Sequence, residues 1–558
     1  MTVETLITDH IDIWSSALQT RSTAGRGSNG KIDLYGIKKL RELILELAVR
    51  GKLVPQDPND EPASDLLKRI AAEKTELVKQ GKIKKQKPLP EISEDEKPFE
   101  LPEGWEWVRL GELFNSIASG GTPSKSNPDF WNGDIPWASV KDLGKEKYIA
   151  KTQDYISHQG LNTGSKLADE GDILICTRMG LGKIGIASCP VAFNQDLKSV
   201  KLTSGVSLDF FFNTYSTVKI KGTGTTVEGI KQEQLLNYVI GLPSGNEQHQ
   251  IVEKVDELMS LCDQLEQQSL ASLDAHQQLV ETLLATLTDS QNTEELADNW
   301  ARISQHFDTL FTTEASIDAL KQTILQLAVM GKLTKQVKAD SVEYKTSHID
   351  GLSIYNDINE RIPKSWTLRT LDNISSAIID CPHSTPKWAN EGFICVRTSQ
   401  IKPGYLELKD SRYVSEQTYK ERIQRLEPIY NDILYSREGG VLGVACRIPE
   451  GNKICLGQRM MLIRPSDKVL SEYLEIVLNS PLITILAQQM TTGGAAPRVN
   501  VSTVKKYLIP LPSKEEQYKI VSRVNKLFAL CETLKSRLQS AQQTQLHLAG
   551  ALTDAALN

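Results

Sequence analysis

The sequence has no long hydrophobic run and few of the residue patterns that build metal or disulfide frameworks. No apolar stretch approaches the roughly 18 residues that a membrane span requires. The opening residues, 1–14, lack the basic-then-apolar pattern of a signal peptide. The eight cysteines are scattered, without a CxxC pair or Cys/His groups at zinc spacing, which favours reduced thiols. These absences predict a cytoplasmic protein that has no contact with a membrane and no metal site.

Catalytic motifs are also missing. The chain contains no Walker-type phosphate loop, no nucleophile elbow and no histidine pair at metal spacing. Residues 180–185, GLGKIG, match GxGxxG, but no helical period follows, so we interpret them as a glycine-rich hairpin or loop. Residues 127–130, NPDF, resemble the tetrad with which amino-methyltransferases hold an extruded adenine, but one proline is missing, and we interpret them as a turn. A chain of 558 residues without a catalytic group is predicted to be a binding protein.

The most informative feature that is present is an internal repeat. Residues 37–56 recur at 317–336 with 11 of 20 positions identical, and residues 240–265 recur at 509–534 with 13 of 26 identical. Chance would give roughly one or two identities in each window, so the chain contains a duplication. The segments between these copies differ in sequence, which suggests two domains that do the same kind of work on different targets.

The repeated segments have the apolar spacing of helices, and an apolar face on a lone helix must be buried. The helix from about 247 to 287 and its C-terminal copy are predicted to form spacers whose apolar faces hold Ile251, Val255, Leu258, Leu265, Leu279, Leu283, Ile520, Val524, Leu527 and Leu534. The C-terminal helix is expected to meet the N-terminal helix, as the central long helix meets its own partner, so the termini lie close together.

The predicted fold is therefore α+β, with an internal pseudo-two-fold repeat. Two mixed α/β domains are separated by long antiparallel, coiled-coil-like spacer helices. The predicted boundaries are an N-terminal helical half-repeat (1–60), a charged and proline-rich linker (61–100), a first α/β domain (101–245), a central helical repeat (246–336), a second linker (337–361), a second α/β domain (362–513) and a C-terminal helix (514–558).

The two α/β domains differ in charge. Residues 102–245 hold 14 basic and 15 acidic residues, a net charge of −1, whereas 363–513 hold 19 and 14, a net charge of +5. Polar and basic side chains in the predicted turns and strand ends are of the types that contact base edges and phosphates. These candidate DNA-binding residues are Ser124, Lys125, Ser139, Lys141, Arg178, Lys183, His383, Lys387, Arg397, Ser399, Gln400, Lys402, Arg437, Arg459, Arg498 and Asn500. Ordinary solvated loops explain any single one of them equally well.

Residues 66–113, residues 120–137 and the two copies of LPS…EQ…IV together resemble the specificity subunit of type I restriction-modification systems. The resemblance extends over nearly the whole chain. It implies that each α/β domain is a target-recognition domain for one half of an interrupted, asymmetric sequence in double-stranded DNA, and that the helices fix the gap. It also implies two modification subunits, which dock on these helices and methylate adenine with S-adenosylmethionine. Two restriction subunits (translocase and nuclease) that use ATP and Mg²⁺ are implied as well, with no cofactor on this chain.

Two alternatives remain open at this stage. The chain could be an adenine DNA methyltransferase by itself, in which case it would bind S-adenosylmethionine directly. It could instead be a coiled-coil scaffold without a role on DNA, although a scaffold does not explain why two domains share an outline and differ in content.

Overall fold

The structure is a computed structural model that describes residues 3–21, 31–144, 146–222, 228–334, 362–492 and 497–557. The chain divides into two compact units. The first comprises Met1–Leu18, Leu34–Ser269 and Gln545–Asn558, and the second comprises Gln19–Asp33 and Leu270–Thr544. The linker predicted over 337–361 lies outside the described residues. None of the helices within those ranges has the length and hydropathy of a bilayer-spanning segment.

In the first unit, the domain predicted over 101–245, hereafter module 1, is built on two small sheets. The larger has the strand order Phe114–Ser119, Leu197–Leu202, Ile173–Cys176, Ile184–Ala187, Tyr148–Ile149. The smaller has the order Asp154–Ile156, Ile135–Ala138, Val191–Phe193, Lys166–Ala168. A separate antiparallel pair joins Glu106–Arg109 to Val239–Leu242. The helices are His158–Gly164, Leu208–Thr217 and Gln232–Asn237.

The central strand of the larger sheet, Ile173–Cys176, is buried at every position, because both of its faces are covered. Phe210, Phe211 and Tyr215 of one helix are also fully buried in this unit.

In the second unit, the domain predicted over 362–513, hereafter module 2, repeats this plan. One sheet has the order Ser375–Asp380, Met460–Pro465, Ile433–Ser436, Ala445–Arg447, and the other has Trp388–Ala389, Tyr413–Val414, Phe393–Val396, Ile454–Leu456. Thr367–Thr370 pairs with Leu508–Leu511, and Ile401–Lys402 pairs with Tyr405–Leu406. The helices are Leu371–Ile374, Glu416–Arg422, Ser471–Asn479, Pro481–Gln489 and Val501–Lys505. Four strands of the first sheet and three of the second follow the same order in both modules, which agrees with the duplication found in the sequence.

The remaining elements are helical or short. The N-terminal region has helices Val3–Thr8, Ile11–Ser16 and Tyr35–Val49, with a hairpin of Gln19–Arg21 and Lys31–Asp33. The middle of the chain has the long helix Gly245–Asp289, followed by Thr293–Gln305, Phe307–Leu310 and Glu314–Val329. The second long helix is Lys514–Leu557. The two predicted long helices are therefore present.

The apolar face of the long helices was predicted correctly near their start and incorrectly farther along. Ile251, Val255, Leu258, Ile520 and Val524 are buried, and Leu265, Leu283, Leu527 and Leu534 are half-buried. Leu279, however, is 51% exposed, and the buried side chain there is Val280. Val280 follows Cys262 by 280 − 262 = 18 residues, or five turns at 3.6 residues a turn, so it returns to the buried face while Leu279 lies about 100° away from it.

Matching contacts hold the repeated helices in each unit. In the first unit Arg41 bonds Asp263 at 2.6 Å, and in the second Lys321 bonds Glu532 at 2.5 Å. Likewise, Lys52 Nζ donates to the Leu557 carbonyl at 3.0 Å, and Lys332 Nζ donates to the Thr288 carbonyl at 2.6 Å. The predicted meeting of the C-terminal helix with the N-terminal helix is confirmed by the Lys52–Leu557 contact.

The LPS…EQ motif fastens each long helix to its module by side-chain hydrogen bonds. Trp105 Nε1 donates to Glu247 Oε2 at 2.9 Å, and Trp366 Nε1 donates to Glu516 Oε2 at 3.0 Å. Burial raises the pKa of the Glu247 carboxyl, although the hydrogen bonds from Gln56 and Trp105 oppose that change. The adjacent Gln517 is fully buried and accepts a hydrogen bond from the Leu470 backbone N–H.

Residues 61–100, expected to be a linker, contain helix Ala63–Lys79, whose Leu66 and Ile70 are buried. The 79–90 stretch is mostly exposed, yet its last residue contributes to a buried site. The Arg109 guanidinium, 2% exposed as a residue, donates to the carbonyls of Pro90, Glu91 and Asn237 and to the Glu96 carboxylate. The arginine holds the pKa of Glu96 low, at about 2, so this connector is fastened to module 1.

Candidate nucleic-acid interface

Each module carries a hairpin loop between two neighbouring strands of one sheet. In module 1 the loop is 177–183, between Ile173–Cys176 and Ile184–Ala187, and in module 2 it is 437–444, between Ile433–Ser436 and Ala445–Arg447. The glycine-rich residues 180–185 therefore form the end of a hairpin loop and the start of a strand, as predicted.

The same backbone hydrogen bonds surround both hairpin loops. In module 1 the Thr177 N–H donates to the Asp196 carbonyl at 2.8 Å, and the Ile230 N–H donates to the Thr177 carbonyl at 3.0 Å. In module 2 the Arg437 N–H donates to the Arg459 carbonyl at 3.3 Å, and the Val499 N–H donates to the Arg437 carbonyl at 2.9 Å.

A third bond completes the correspondence, from the Met179 N–H to the Glu228 carbonyl at 3.1 Å and from the Gly439 N–H to the Pro497 carbonyl at 3.0 Å. We call this arrangement of three segments the loop frame; it comprises residues 177–179, 196 and 228–230 in module 1, and 437–439, 459 and 497–499 in module 2. The loop frame makes Thr177 equivalent to Arg437, Arg178 to Glu438, and Asp196 to Arg459.

The candidate residues of module 1 lie on neighbouring loops around this frame. Arg178 and Lys183 lie on the hairpin loop and are exposed. Lys183 Nζ donates to the Val140 carbonyl at 3.4 Å, which places the turn of Ser139 and Lys141 beside the hairpin. Ser139 is occupied by that turn, because its N–H and hydroxyl both donate to Asp142, at 2.8 and 2.9 Å.

The Ser124–Lys125 segment belongs to the same surface. Ser124 and Lys125 are exposed, and the Ser124 and Ser126 hydroxyls share a hydrogen bond of 2.8 Å. The preceding Thr122 hydroxyl bonds the Gln195 side chain, next to Asp196 of the loop frame. The NPDF segment forms a turn, as predicted, in which the Asn127 side chain accepts from the Asp129 N–H.

In module 2, the structure brings His383, Arg437, Arg459 and Arg498 together around the loop frame. Arg437 is equivalent to Thr177, and Arg498 forms a β-bridge with Glu438. His383 Nε2 lies 3.3 Å from Asp380 Oδ2, and the same carboxylate binds Arg437. Asn500 is exposed just beyond this frame, where helix Val501–Lys505 begins.

For two of these residues the prediction of a DNA contact is wrong, because their side chains are buried and already hydrogen-bonded within the protein. Arg437 is 6% exposed, and its Nε and Nη2 each donate to the Asp380 carboxylate at 2.9 Å, so its guanidinium supports the fold from inside. Gln400 is 3% exposed, because its oxygen accepts from the Arg397 N–H at 2.9 Å and its amide donates to the Glu407 carbonyl and the Ser411 hydroxyl. Neither side chain presents an unused polar edge to solvent.

The remaining candidates of module 2 lie on adjoining segments. Arg397 is half-buried and donates to the Asp410 carbonyl at 3.1 Å, and its neighbour Val396 accepts from the Gly457 N–H at 2.8 Å. Lys387 and Ser399 are exposed, and Lys402 is half-buried in a short strand.

The residues that position these loops were not predicted from the sequence. Arg422 is 8% exposed and donates to the carbonyls of Ser384, Leu456 and Gly457, which fastens the His383 segment to the segment before Arg459. Asp196, Asp380 and Glu438 supply the carboxylates that face the arginines. A lone acidic residue in a loop carries no local signal of its partner, so these roles were visible only in three dimensions.

The described residues hold no group of three or more His, Cys, Asp or Glu side chains arranged to bind a metal ion. The buried Asp172 carboxylate of module 1 is paired with protein groups. Burial raises the pKa of its carboxyl, which accepts from the Asp169 N–H at 3.0 Å and the Ser199 hydroxyl at 3.1 Å.

Comparison with known proteins identifies the family. The family model described as "Type I restriction modification DNA specificity domain" matches twice, at residues 102–275 and 363–543. The chain is 44% identical to the type I restriction enzyme EcoEI specificity subunit and 42% identical to the EcoAI specificity subunit, both from Escherichia coli, with all of each chain covered. A solved chain from a type I R-M system study is 18% identical, with 83% of this chain and 99% of that chain covered and a TM-score of 0.46. The chain therefore belongs to the specificity subunits of type I restriction-modification systems.

Proposed function

We propose that each module recognises one half of an interrupted, asymmetric sequence in double-stranded DNA, module 1 one half and module 2 the other. The observation that carries this proposal is the loop frame, whose three backbone hydrogen bonds are the same in both modules while its side chains differ. Thr177, Arg178 and Asp196 in one correspond to Arg437, Glu438 and Arg459 in the other. A constant set of backbone hydrogen bonds with altered side-chain groups is suited to different base sequences.

The long helices are proposed to set the gap between the half-sites and to dock two modification subunits. The support is the matched set of contacts in the two units, Arg41–Asp263 with Lys321–Glu532 and Lys52–Leu557 with Lys332–Thr288. Because the same helical surface occurs twice, it offers two equivalent sites to one kind of partner.

The chemistry is proposed to reside in partner subunits. The modification subunits would supply S-adenosylmethionine-dependent methylation of adenine, and two restriction subunits would supply ATP- and Mg²⁺-dependent translocation and cleavage. This chain would contribute sequence choice and assembly. Phosphate contacts from the partners would also offset the chain's own net charge of −6, which is unfavourable for DNA binding.

The test is selection from a library of random DNA duplexes by the full-length chain co-expressed with modification subunits. We expect one interrupted sequence with two fixed halves and a constant gap. Exchanging residues 101–245 for the corresponding segment of a relative with different specificity should change one half only. Recovery of a continuous sequence, or of no sequence, would refute the proposed function. Photolabelling of this chain itself by S-adenosylmethionine would favour the stand-alone methyltransferase.

A further inference from the structure

The loop frame holds an ion pair at the same place in both modules, with its polarity reversed. In module 1 the Arg178 guanidinium on the hairpin lies 3.7 Å from the Asp196 carboxylate. In module 2 the hairpin carries the acid, Glu438, and the Arg459 guanidinium lies 3.7 Å from it. The duplication has thus kept the pair and moved the arginine from one segment of the frame to the other.

The two members of each pair differ in exposure. The arginine side chains are 53% and 57% exposed, for Arg178 and Arg459, whereas the carboxylates of Asp196 and Glu438 are only 13% and 21% exposed. The acid is therefore the anchored partner, and the guanidinium projects into solvent.

The hydrogen-bonding capacity of these guanidinium groups remains largely unused. A separation of 3.7 Å exceeds the range of an N–H···O hydrogen bond, so the carboxylate attracts the arginine without consuming its donors. Among the described residues, neither Arg178 nor Arg459 donates a side-chain hydrogen bond to the protein. This contrasts with Arg437, both of whose bonds to Asp380 are 2.9 Å long.

The backbone at these positions is also constrained. Arg459 has φ of 67°, and Met179, directly after Arg178, has φ of 60°. A non-glycine residue in this left-handed region is strained, and it persists where surrounding bonds fix the conformation. The loop-frame hydrogen bonds of Thr177, Met179 and Arg437 supply that restraint.

We propose that Arg178 and Arg459 are the guanine-contacting residues of modules 1 and 2, and that Asp196 and Glu438 are positioning residues that aim them. This inference rests on the proposed function. A projecting, pre-aimed guanidinium matches the O6 and N7 acceptors of guanine in the major groove, which arginine binds with two parallel hydrogen bonds. Because the arginine stands on different segments of the frame, the guanine occupies different positions within the two half-sites.

The test uses the full-length chain with modification subunits and selection from random duplexes. Arg178→Gln should lose the preference for one G·C pair in a single half-site, by roughly 5- to 150-fold, and leave the other half unchanged. Arg459→Gln should do the same in the other half. Asp196→Asn and Glu438→Gln should weaken the preference at those same base pairs by less than the arginine variants do.

Matched controls are Lys141→Gln in module 1 and Lys387→Gln in module 2, both exposed cations outside the ion pairs. These should weaken binding equally for all sequences, since a phosphate contact carries no base preference. The double variant Arg178→Asp/Asp196→Arg keeps an ion pair and moves the guanidinium to the segment that carries it in module 2. It should fold and lose the original guanine preference.

Unchanged preferences in Arg178→Gln and Arg459→Gln would overturn the inference while leaving the proposed function intact. Retention of the original guanine by the exchanged pair would also overturn it. If the unmodified protein selects no bipartite sequence, the proposed function fails instead. Circular dichroism and recovery of the unaltered half-site establish that each variant is folded.

Discussion

Removal of the Asp380 carboxylate should destabilise module 2 severely, because it leaves Arg437 as an unpaired charge inside the protein. The two side chains are 17% and 7% exposed, and two hydrogen bonds of 2.9 Å join them. Loss of one partner from a buried ion pair typically costs 3–5 kcal/mol, which greatly exceeds the cost of breaking a pair on the surface. Asp380→Ala is the variant that applies this perturbation.

The loss of stability can be measured by urea unfolding of the full-length chain, with limited proteolysis at sites within residues 362–513 as the probe of unfolding. With a slope of about 3 kcal/mol/M, a loss of 3–5 kcal/mol lowers the urea midpoint of this transition by about 1–1.7 M. The matched control is Glu416→Ala, which breaks the 2.8 Å pair with Lys420 on the exposed face of a helix. We expect that control to leave the midpoint unchanged within error.

A second variant separates stability from DNA contact. Asp380→Leu/Arg437→Met removes both charges and should recover most of the lost stability, since a buried pair replaced by apolar groups is often neutral. The sequence selected by module 2 should be retained, because Arg437 supports the loop frame from inside. A midpoint for Asp380→Ala equal to that of the control, or a changed half-site in the rescued double variant, would refute this account of Arg437.

Three further predictions follow from the helices and the connector. Deleting four residues from 266–278 together with four from 535–547 should shorten the spacer by about 6 Å and the tolerated gap by about two base pairs. Both half-sites should stay unchanged in duplex selection, and altered half-sites with a constant gap would contradict the spacer role. Trp105→Phe and Trp366→Phe should each lower the free energy of unfolding of their own unit by about 1–3 kcal/mol in urea, because each leaves the buried Glu247 or Glu516 without its indole donor. A loss confined to one variant would contradict the equivalence of the two sites. Burial lowers the pKa of Lys74 to about 8, so the folded protein loses this proton before the unfolded protein does, and stability should rise as pH increases from about 8 to 10.5. Lys74→Met should reduce this dependence of stability on pH in thermal unfolding. An unchanged dependence would contradict the assignment of the effect to Lys74.

The repeat and the helices could be predicted from sequence because both are periodic, local signals. The pairs at 37–56 and 317–336, and at 240–265 and 509–534, became equivalent helices with equivalent contacts. The predicted apolar face was wrong only at Leu279. Leu279 follows Leu265 by two seven-residue repeats, and this spacing departs from the 3.6-residue turn of a straight helix. Helix Ala63–Lys79 was missed because a surrounding proline- and lysine-rich composition outweighed its short apolar stripe of Leu66 and Ile70.

The residue types of the candidate interface could be predicted from the sequence, but the burial and hydrogen bonding of each side chain could not. Arg437 and Asp380 are far apart in the chain, so sequence gave no sign that one neutralises the other. Gln400 was predicted to contact a base through its amide, but that amide makes its hydrogen bonds within a local turn. The roles of Asp196 and Glu438 depend on the loop frame, which is assembled from three separate segments.

The contact of Lys52 with Leu557 has a consequence for where the polypeptide needs to start. Its counterpart, Lys332 with Thr288, lies where the chain runs on without interruption from one helix to the next. A circular permutant that joins residue 557 to residue 3 through a flexible tether, and opens the backbone near 291, would preserve both lysine contacts. The chain could therefore be opened at the equivalent point of the second unit without loss of either contact.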